Sequence, residues 1–322
     1  MRYQKTIAYS VISLLLLLIA LVAVFDIAVK IHTPPALANL RTEYKLRPEP
    51  GGIVHRDIRY QGLLYGGRKL DIYQPYDIQK VPEEGAPAMV FVHGGSWLHG
   101  CKEDIRGVDR FLDKIRQQGV AVISIDYTAP AHRFLDAPAR NVGQALDWIL
   151  HNAQNYQINP KNIGIYSASA GSHLVLEHLV QSEQPAEEWR FWLQECGPTD
   201  LVAMANGEAH DSSYILGMFP KKYLEKHSPL PRLQQTFPPT AVVHGDADEL
   251  VDIAQAKRLV QKLEQNGTQV HFRVVPGAEH GFITSPQSLW IELENEMLPF
   301  MLTNFIPTGQ LAWTENDHSA RK

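Results

Sequence analysis

Short apolar runs alternate with amphipathic segments along most of the chain after residue 52. The runs are rich in β-branched and aromatic residues, as buried strands are, and the segments between them carry apolar residues at helical spacing. The predicted strands are the two in IRYQGLLYGGRKLDIYQP, meeting at Gly66-Gly67, then AMVFVH, AVISID, NIGIYS, RFWLQE, TAVVHG and VHFRVV. The predicted helices are RGVDRFLDKIRQQ, ARNVGQALDWILHNAQ, SHLVLEHLVQ, DIAQAKRLVQKLEQN and one near SLWIELENEMLPFMLTNF. This pattern predicts an α/β fold, with a mainly parallel sheet of about eight strands and helices on both faces.

The first 30 residues follow a different pattern. Arg2 and Lys5 precede an uncharged stretch from Thr6 to Phe25, which is long enough to cross a bilayer as a helix. With the two charges kept inside, the rest of the chain is expected on the exported side, periplasmic or extracellular. The alternative is a signal segment cleaved near Ala38, in the A-x-A sequence at 36 to 38, which would release the chain as a secreted protein.

The remaining organisation follows from composition. Residues 31–51 are Pro-rich and unpatterned, as a linker would be. Residues 52–306 carry the alternating pattern and are predicted to form one globular domain. Within it, residues 202–238 are the longest insertion between predicted strands, and are expected to form either a small lid or a short amphipathic helix packed on the sheet. Residues 307–322 read as a polar tail.

Charge and cysteine content exclude several kinds of function. The net charge is −5, and Lys and Arg do not cluster, so nucleic acid is not an expected partner. Cys101 and Cys196 are the only cysteines. An even number is compatible with one disulfide outside the cytoplasm, but two distant cysteines do not show pairing. Neither C-x-x-C nor His/Cys ligand spacing occurs, so no metal site is expected.

The first candidate for chemistry is the stretch IGIYSASAGSHLV at 163 to 175. An apolar strand meets a cluster of tiny residues and then a helical pattern, with Ser169 at the centre of the cluster. A nucleophile on a strained strand-to-helix turn needs small neighbours, usually as G-x-S-x-G, and here Ser167 replaces the first glycine. The alternative is an ordinary turn in which a serine caps the helix.

A second candidate follows the predicted strand AMVFVH. There, His93, Gly94, Gly95, Ser96 and Trp97 form a loop whose backbone N–H groups would face a developing oxyanion. Glycines at that place let a substrate approach the backbone closely. His93 is expected to hold the loop by hydrogen bonding rather than to take part in the reaction.

Two later strand ends carry acids and a histidine. Asp246, Asp248, Glu249 and Asp252 follow TAVVHG, and His280 follows the last strand in VVPGAEHGF. In open α/β sheets, sites form at the carboxyl ends of strands. Serine, then acid, then histidine is the chain order of α/β-hydrolases, in which the histidine is the base and the acid orients it.

These motifs together resemble the α/β-hydrolase esterases of the acetyl-esterase and hormone-sensitive-lipase-like group, with its feruloyl-esterase-like and carbohydrate-esterase relatives. The resemblance covers about residues 55 to 303. It implies a triad of Ser169, Asp248 and His280, because in that family the acid lies in H-G-x-x-D-x-x-V. It also implies an oxyanion hole formed by the backbone of Gly94, Gly95 and Ala170. The motifs that carry it are LDIYQP, HGGSW, SIDYTAP, INPKNIGIYSASAGSHL, CGPTDL, HGDADELV and PGAEHGF.

The chain departs from that family at three places. SASAGS stands where the family has G-E-S-A-G-G or G-x-S-A-G-G, so Ala168 replaces the usual acid. Tyr127-Thr128 stands for Tyr-Arg, and Asn141 stands for an Asp. These changes affect the expected support of the loops rather than the nucleophile.

The expected function is hydrolysis of a small carboxylic ester through an acyl-enzyme, without metal or organic cofactor. The expected substrates have short-to-medium acyl groups: acetylated or feruloylated carbohydrate, or small lipid esters. Trp97, Tyr214 and Met218 are the candidate pocket residues. Two alternatives stay open: an arylformamidase-like amide hydrolase, since H-G-G-x-W occurs there too, and a non-catalytic membrane-tethered binding protein of the same fold.

Overall fold

The computed structural model describes residues 51–61, 68–107, 109–127, 135–182, 188–208, 216–282 and 285–305. The predicted anchor at 1–30, nearly all of the linker and the tail at 307–322 lie outside these residues, as do Gly66 and Gly67. Within the described ranges, no helix is both long and apolar enough to cross a bilayer. Membrane attachment and the exported location therefore stay predictions.

A single eight-stranded sheet forms the centre of the molecule, in the order β1-β2-β4-β3-β5-β6-β7-β8. β1 and β2 are antiparallel to each other, and β2 is antiparallel to β4. From β4 through β8 all neighbours are parallel. The strands are β1 Val54–Arg59, β2 Lys69–Tyr73, β3 Ala86–Val92, β4 Ala121–Ile125, β5 Ile158–Ala168, β6 Trp192–Glu195, β7 Thr240–Gly245 and β8 Val270–Val275.

Helices connect the parallel strands. The α-helices are α1 Asp109–Gln117, α2 Asp136–Asn152, α3 Ala170–Gln181, α4 Leu201–Ala203, α5 Lys221–Lys226, α6 Ala254–Gln265 and α7 Gln287–Asn304. The 3₁₀ turns are Ile78–Lys80, Lys102–Gly107, Ala153–Tyr156, Leu230–Arg232 and His280–Phe282, and a π-helical turn, Met204–Glu208, follows α4.

The apolar residues of each central strand divide between two cores. In β3, Val90 and Val92 pack with residues of α2, α3 and α6 on one face of the sheet. Met89 and Phe91 pack with residues of α1 and α7 on the other. Because successive side chains of a strand point to opposite faces, a strand buried on both faces has to be apolar throughout. Burial on both faces of the sheet is thus the reason why the strands appear in the sequence as continuous apolar runs. The predicted α/β-hydrolase architecture is confirmed.

Several element boundaries differ from the predicted ones, and two of the differences have an evident structural cause. β5 begins at Ile158, before the apolar run NIGIYS, because Ile158 pairs with Ala86 across an irregularity in the register. α2 begins at Asp136 and includes Pro138 in its first turn, where the missing N–H of proline costs no helical hydrogen bond.

Most of the insertion at 202–238 is described, and several of its leucines are buried in the core. Leu216, Leu224 and Leu230 belong to the cluster shared with α2 and α3. Tyr223 and Lys226 of α5 both bond the carboxylate of Asp136 at the start of α2. A short helix packed on the body of the domain is therefore present. Residues 209–215 lie outside the described ranges, so a lid formed by the segment 202–238 stays a prediction.

The turn into α3 leaves no room for a side chain at its second residue. A Cβ on Gly171 would lie 2.3 Å from the carbonyl oxygen of His93 and 2.4 Å from that of Val92. Both atoms are backbone at the end of β3, which cannot move without disturbing the central strand. Gly171→Ala is expected to lower the free energy of unfolding by about 1–3 kcal/mol, as overpacking of a core does.

The measurement is the urea midpoint of the full-length chain. Gly51→Ala is the matched control, because a Cβ there meets nothing within 4 Å. An unchanged midpoint for Gly171→Ala would contradict the close packing of α3 on β3.

Candidate active site

Ser169 lies in the sharp turn between the end of β5 and the start of α3. Its φ of 50° and ψ of −123° are strained for a residue with a side chain, at a cost of about 1–3 kcal/mol. The backbone holds it there on both sides: its amide donates to the carbonyl of Glu195 at 2.8 Å, and its carbonyl accepts from the amide of Ser172 at 2.9 Å. The result is a hydroxyl projecting from the carboxyl edge of the sheet.

The structure brings Ser169 together with His280, although 111 positions separate them in the chain. The hydroxyl oxygen lies 2.8 Å from Nε2 of His280, and the other ring nitrogen, Nδ1, lies 2.8 Å from Oδ2 of Asp248. His280 is in the 3₁₀ turn that follows β8, and Asp248 follows β7. Parallel strands ending at one edge of the sheet bring these three loops together, which creates a continuous hydroxyl–imidazole–carboxylate chain.

Four acids follow β7, and the structure brings only Asp248 to the imidazole. Asp246 is exposed and accepts from the amide of Gly277. Asp252, also exposed, caps the start of α6 by accepting from the amide of Ala254. Glu249 is exposed as well. Asp248 alone is buried among them.

Asp248 is held in its ionised form by several donors. The amides of Leu250 and Val251 donate to Oδ1 at 3.0 and 2.8 Å. His244, fully buried in β7, places its Nε2 3.2 Å from Oδ2. Burial acts to raise the pKa of this carboxyl, but the hydrogen bonds from His244 and His280 outweigh it and hold the pKa well below its usual value. A full negative charge therefore faces His280.

That charge changes the basicity of His280. Burial acts to lower the pKa of the imidazole, whereas contact with the sulfur of Cys196 and the hydrogen bond and charge of Asp248 raise it, and the net result is a pKa well above its usual value. A cysteine carries charge only as a thiolate, and burial raises the pKa of the Cys196 thiol. At neutral pH the Asp248 carboxylate is therefore the group that stabilises the charged imidazole.

The loop after β3 borders the hydroxyl of Ser169. A Cβ on Gly94 would lie 3.2 Å from the Cβ of Ser169. Gly95 has a φ of 116°, and a Cβ there would lie 2.4 Å from the carbonyl oxygen of His99. Among the turn and loop hydrogen bonds of the described chain, the amides of Gly94, Gly95 and Ala170 are donors in none. Gly94 therefore lies against Ser169, and Ala170 directly follows that serine in the chain, while the role of these amides as an oxyanion hole stays a prediction.

Tyr127 and His93 support this loop from below. The Tyr127 hydroxyl, fully buried, donates to the carbonyls of His93 and Gly94 at 2.7 and 3.0 Å. The two rings stack with centroids 4.2 Å apart, and Nδ1 of His93 lies 2.6 Å from the Gly94 carbonyl. Asn141 of α2 donates to the carbonyl of Tyr127 at 2.8 Å. Asn141, a position that departs from the family pattern, therefore contributes to the loop's support through Tyr127, whereas Thr128, the other departing residue, lies outside the described ranges.

A buried polar chain supports the same loop from α3. Trp97 has a φ of 65°, and its indole N–H donates to Nδ1 of His173 at 3.1 Å. Burial lowers the pKa of His173, so the ring is neutral with its proton on Nε2, which donates to the carbonyl of His227 at 2.7 Å. His227 in turn bonds Glu177 at 2.7 Å. One fixed tautomer thus holds the strained end of the oxyanion loop.

The three candidate pocket residues have different positions. Trp97 is buried with 4% of its surface exposed, which favours the anchoring role that its hydrogen bond to His173 indicates. Met218 is 51% exposed, and Tyr214 lies outside the described residues. The substrate pocket predicted from these residues stays a prediction.

A cavity of about 350 Å³ lies between the sheet and helices α1 and α7. Phe282, two residues beyond His280, lines it together with Glu195 and Tyr166. Burial raises the pKa of Glu195, which accepts a hydrogen bond of 2.6 Å from the Tyr166 hydroxyl. None of the described residues that line the cavity is Ser169, Asp248 or His280, although Phe282 belongs to the same turn as His280.

Two residues that the sequence does not predict touch the chain formed by Ser169, His280 and Asp248. His244 stands inside the motif HGDADELV, and its spacing of four from Asp248 gives no signal of the contact. Neither the position of Cys196 nor its distance from Cys101 in the sequence signals its contact: both cysteines are free, and the sulfur of Cys196 lies 3.9 Å from Nε2 of His280. The ligating atoms of Cys196, Asp248 and His280 all lie within 4.8 Å of one another, so this corner of the site is where a metal ion would find donors.

Comparisons with solved structures agree with this fold. A carbohydrate esterase from gut microbiota is 21% identical, with a TM-score of 0.63, and the alignment covers 79% of this chain and 96% of that one. Esterase 2 of Thermogutta terrifontis with propionate bound is 22% identical, with a TM-score of 0.63, over 82% of this chain and 100% of that one.

Curated sequences point the same way. Esterase LipC of Mycobacterium tuberculosis is 25% identical over 257 residues, 73% of this chain and 63% of that protein. The probable isoprenylcysteine alpha-carbonyl methylesterase ICMEL1 of Oryza sativa subsp. japonica is 23% identical over 247 residues, 68% of this chain and 56% of that protein. The chain thus spans between about half and two thirds of the length of these relatives.

One family profile, BD-FAE, matches residues 70–263, a span that includes Ser169 and Asp248 and ends before His280. The predicted resemblance to esterases of the α/β-hydrolase fold is confirmed by this match and by the relatives above. Because the matched span is more than half of its length, the chain belongs to the BD-FAE family of esterases.

Proposed function

We propose that this protein hydrolyses carboxylic esters through an acyl-enzyme formed on Ser169. The observation that carries the proposal is the unbroken chain from the Ser169 hydroxyl through His280 to Asp248, with 2.8 Å at each step. Such spacing lets the imidazole take the hydroxyl proton as the oxygen attacks a carbonyl carbon. Relatives named as esterases support an ester as the substrate.

Each residue has a defined part in the proposed reaction. The Ser169 oxygen attacks the carbonyl, and its proton moves to Nε2 of His280, whose charge Asp248 stabilises. The amides of Gly94, Gly95 and Ala170 donate to the oxyanion. The alcohol leaves with the proton held by His280. A water that loses its proton to the same nitrogen then releases the acid and restores Ser169.

Short acyl groups are the substrates that we propose first. Solved structures of Thermogutta terrifontis esterase 2 hold propionate and butyrate, and another neighbour is named as a carbohydrate esterase. Acetylated or feruloylated carbohydrate and small lipid esters are the natural classes to compare. The amide hydrolase and the non-catalytic binding protein, considered from the sequence, have no observation in their favour.

The proposal is tested by hydrolysis of p-nitrophenyl esters of increasing acyl length with the full-length chain. Ser169→Ala is expected to lower kcat/KM by at least about 10³-fold, because no other hydroxyl occupies the attacking position. Ser172→Ala is the matched control, since that hydroxyl is buried one helical turn further along α3 and bonds the carbonyl of Glu195 at 3.4 Å. Equal rates for Ser169→Ala and the parent would remove Ser169 from the mechanism.

The pH dependence reports on His280. Only the neutral imidazole accepts the serine proton, so kcat/KM is expected to fall as pH decreases through its pKa. Because Asp248 contributes to raising this pKa, the midpoint of the fall is expected above the usual histidine value of about 6.5.

Asp248→Asn removes that contribution. It is expected to move the midpoint to lower pH and to reduce the plateau by about 10³–10⁴-fold, because the imidazole loses both its orientation and its counter-charge. Asp252→Asn, at an exposed acid of the same loop, is expected to leave both quantities as they are, since asparagine also caps helices. A profile of Asp248→Asn that overlays the parent would contradict the role of Asp248.

Tyr127→Phe tests the support of the oxyanion loop. It deletes the hydroxyl that bonds the carbonyls of His93 and Gly94 and keeps the ring stacked on His93. We expect kcat to fall about 10-fold with little change in KM, less than the roughly 10²–10³-fold effect of deleting an oxyanion donor itself.

Tyr60→Phe is the control for that measurement. It loses a comparable bond from a buried hydroxyl to a backbone carbonyl, that of Asp126, which is not part of the oxyanion loop. If both variants change kcat alike, the effect belongs to general loosening of the strand ends rather than to the loop.

A further inference from the structure

One buried nucleophilic group has no part in the proposed reaction, although it touches the catalytic histidine. Cys196 follows β6 with a φ of 41°, an unusual value for a residue with a side chain. It is 1% exposed, and its sulfur lies 3.9 Å from Nε2 of His280, the same nitrogen that faces the Ser169 hydroxyl at 2.8 Å. A sulfur and a hydroxyl oxygen therefore both lie close to the same imidazole nitrogen.

We propose that this corner of the site binds a thiophilic divalent cation, Zn²⁺ or Cd²⁺, which reversibly inhibits the enzyme. Nε2 of His280 and the sulfur of Cys196 are the primary ligands, and the oxygen of Ser169 is the third. The effect on activity rests on the function proposed above, whereas the binding itself does not.

The spacing of the ligands fits a tetrahedral metal ion. Zn–S bonds of about 2.3 Å and Zn–N bonds of about 2.0–2.1 Å place the two donor atoms about 3.5 Å apart across a tetrahedral angle. The present separation of sulfur and Nε2 is 3.9 Å, so a shift of a few tenths of an ångström brings both into range. Bonds of about 2.0–2.1 Å across a tetrahedral angle place nitrogen and oxygen ligands about 3.3 Å apart. The hydroxyl oxygen now lies 2.8 Å from Nε2, so it has to move away from that nitrogen by about 0.5 Å to become the third ligand.

The surroundings of His280 favour a metal as well. A histidine that binds zinc often donates the N–H of its other ring nitrogen to a carboxylate, which fixes the tautomer and makes the ligating nitrogen more basic. Asp248 does this here, 2.8 Å from Nδ1. The arrangement that presents Nε2 to a serine proton therefore also presents it to a metal ion.

The donor set selects the kind of metal. A thiolate and an imidazole are ligands for Zn²⁺ and its soft relatives, whereas Mg²⁺ and Ca²⁺ need several oxygen ligands. On binding, the thiol proton is released to solvent and a sulfur–metal bond forms. The lone pair of Nε2 then binds the metal and can no longer accept the serine proton, so attack on the ester stops.

The test is inhibition of the full-length chain by Zn²⁺ at buffered free concentrations, with each variant compared with its own metal-free rate. Cys196→Ala is expected to need at least 10-fold more free Zn²⁺ for half inhibition than the parent. Cys101→Ala is the matched control and is expected to be inhibited like the parent, since it removes the other cysteine and leaves the site intact. A chelator is expected to restore activity to both the parent and Cys101→Ala.

A second readout does not require turnover. Cd²⁺ added to the metal-free chain is expected to produce the ultraviolet charge-transfer absorption of a cadmium–thiolate bond in the parent and in Cys101→Ala, and to lose it in Cys196→Ala. Equal Zn²⁺ inhibition of Cys196→Ala and the parent would overturn the proposal. So would a charge-transfer absorption that is lost in Cys101→Ala and kept in Cys196→Ala. Absorption that depends on Cys196 in a chain without esterase activity would uphold the metal site and reject the proposed function.

Discussion

The site depends on the close approach of helix α3 to the end of strand β3. Only a residue without a side chain fits at Gly171, where a Cβ would lie 2.3 Å from a backbone oxygen of the neighbouring strand. This contact fixes where the helix begins, and with it the strained turn in which Ser169 has a φ of 50°. The packing of two large cores on the sheet maintains a conformation that an isolated turn would leave.

The same approach places the oxyanion loop. The loop after β3 begins where α3 packs, so a Cβ at Gly94 would lie 3.2 Å from that of Ser169. Two separate sets of buried contacts hold the loop: the Tyr127 hydroxyl on the carbonyls of His93 and Gly94, and the His173 ring on the Trp97 indole. These contacts fix the backbone of the loop beside Ser169, and such preorganisation is what the oxyanion hole proposed above requires.

Both burial and hydrogen-bond partners shift the pKa values of the carboxyl groups at the site. Asp248 keeps its charge when buried because two amides and two imidazoles bond it. Glu195, close by on β6, has one hydroxyl partner, and burial raises its pKa. The pKa values of two carboxyls near one strand edge are thus shifted in opposite directions, and Asp248 is the one that bonds His280. The sulfur of Cys196 lies 3.9 Å from Nε2 of the same histidine and has no part in the reaction proposed above.

The sequence by itself determined the α/β architecture, the strands and helices, and the residues at the carboxyl ends of the strands. These features follow from short segments of sequence, because a strand buried on both faces must be apolar throughout and a strained turn must be lined by tiny residues. The choice of Asp248 among four nearby acids needed resemblance to a family, and the structure then showed its burial and its bond to His280. Only the tertiary structure decided the contacts of His244, Cys196 and His173. These side chains contact partners on other strands, helices or loops. Such contacts form only after the strands have paired, so neither residue spacing nor residue type predicts them.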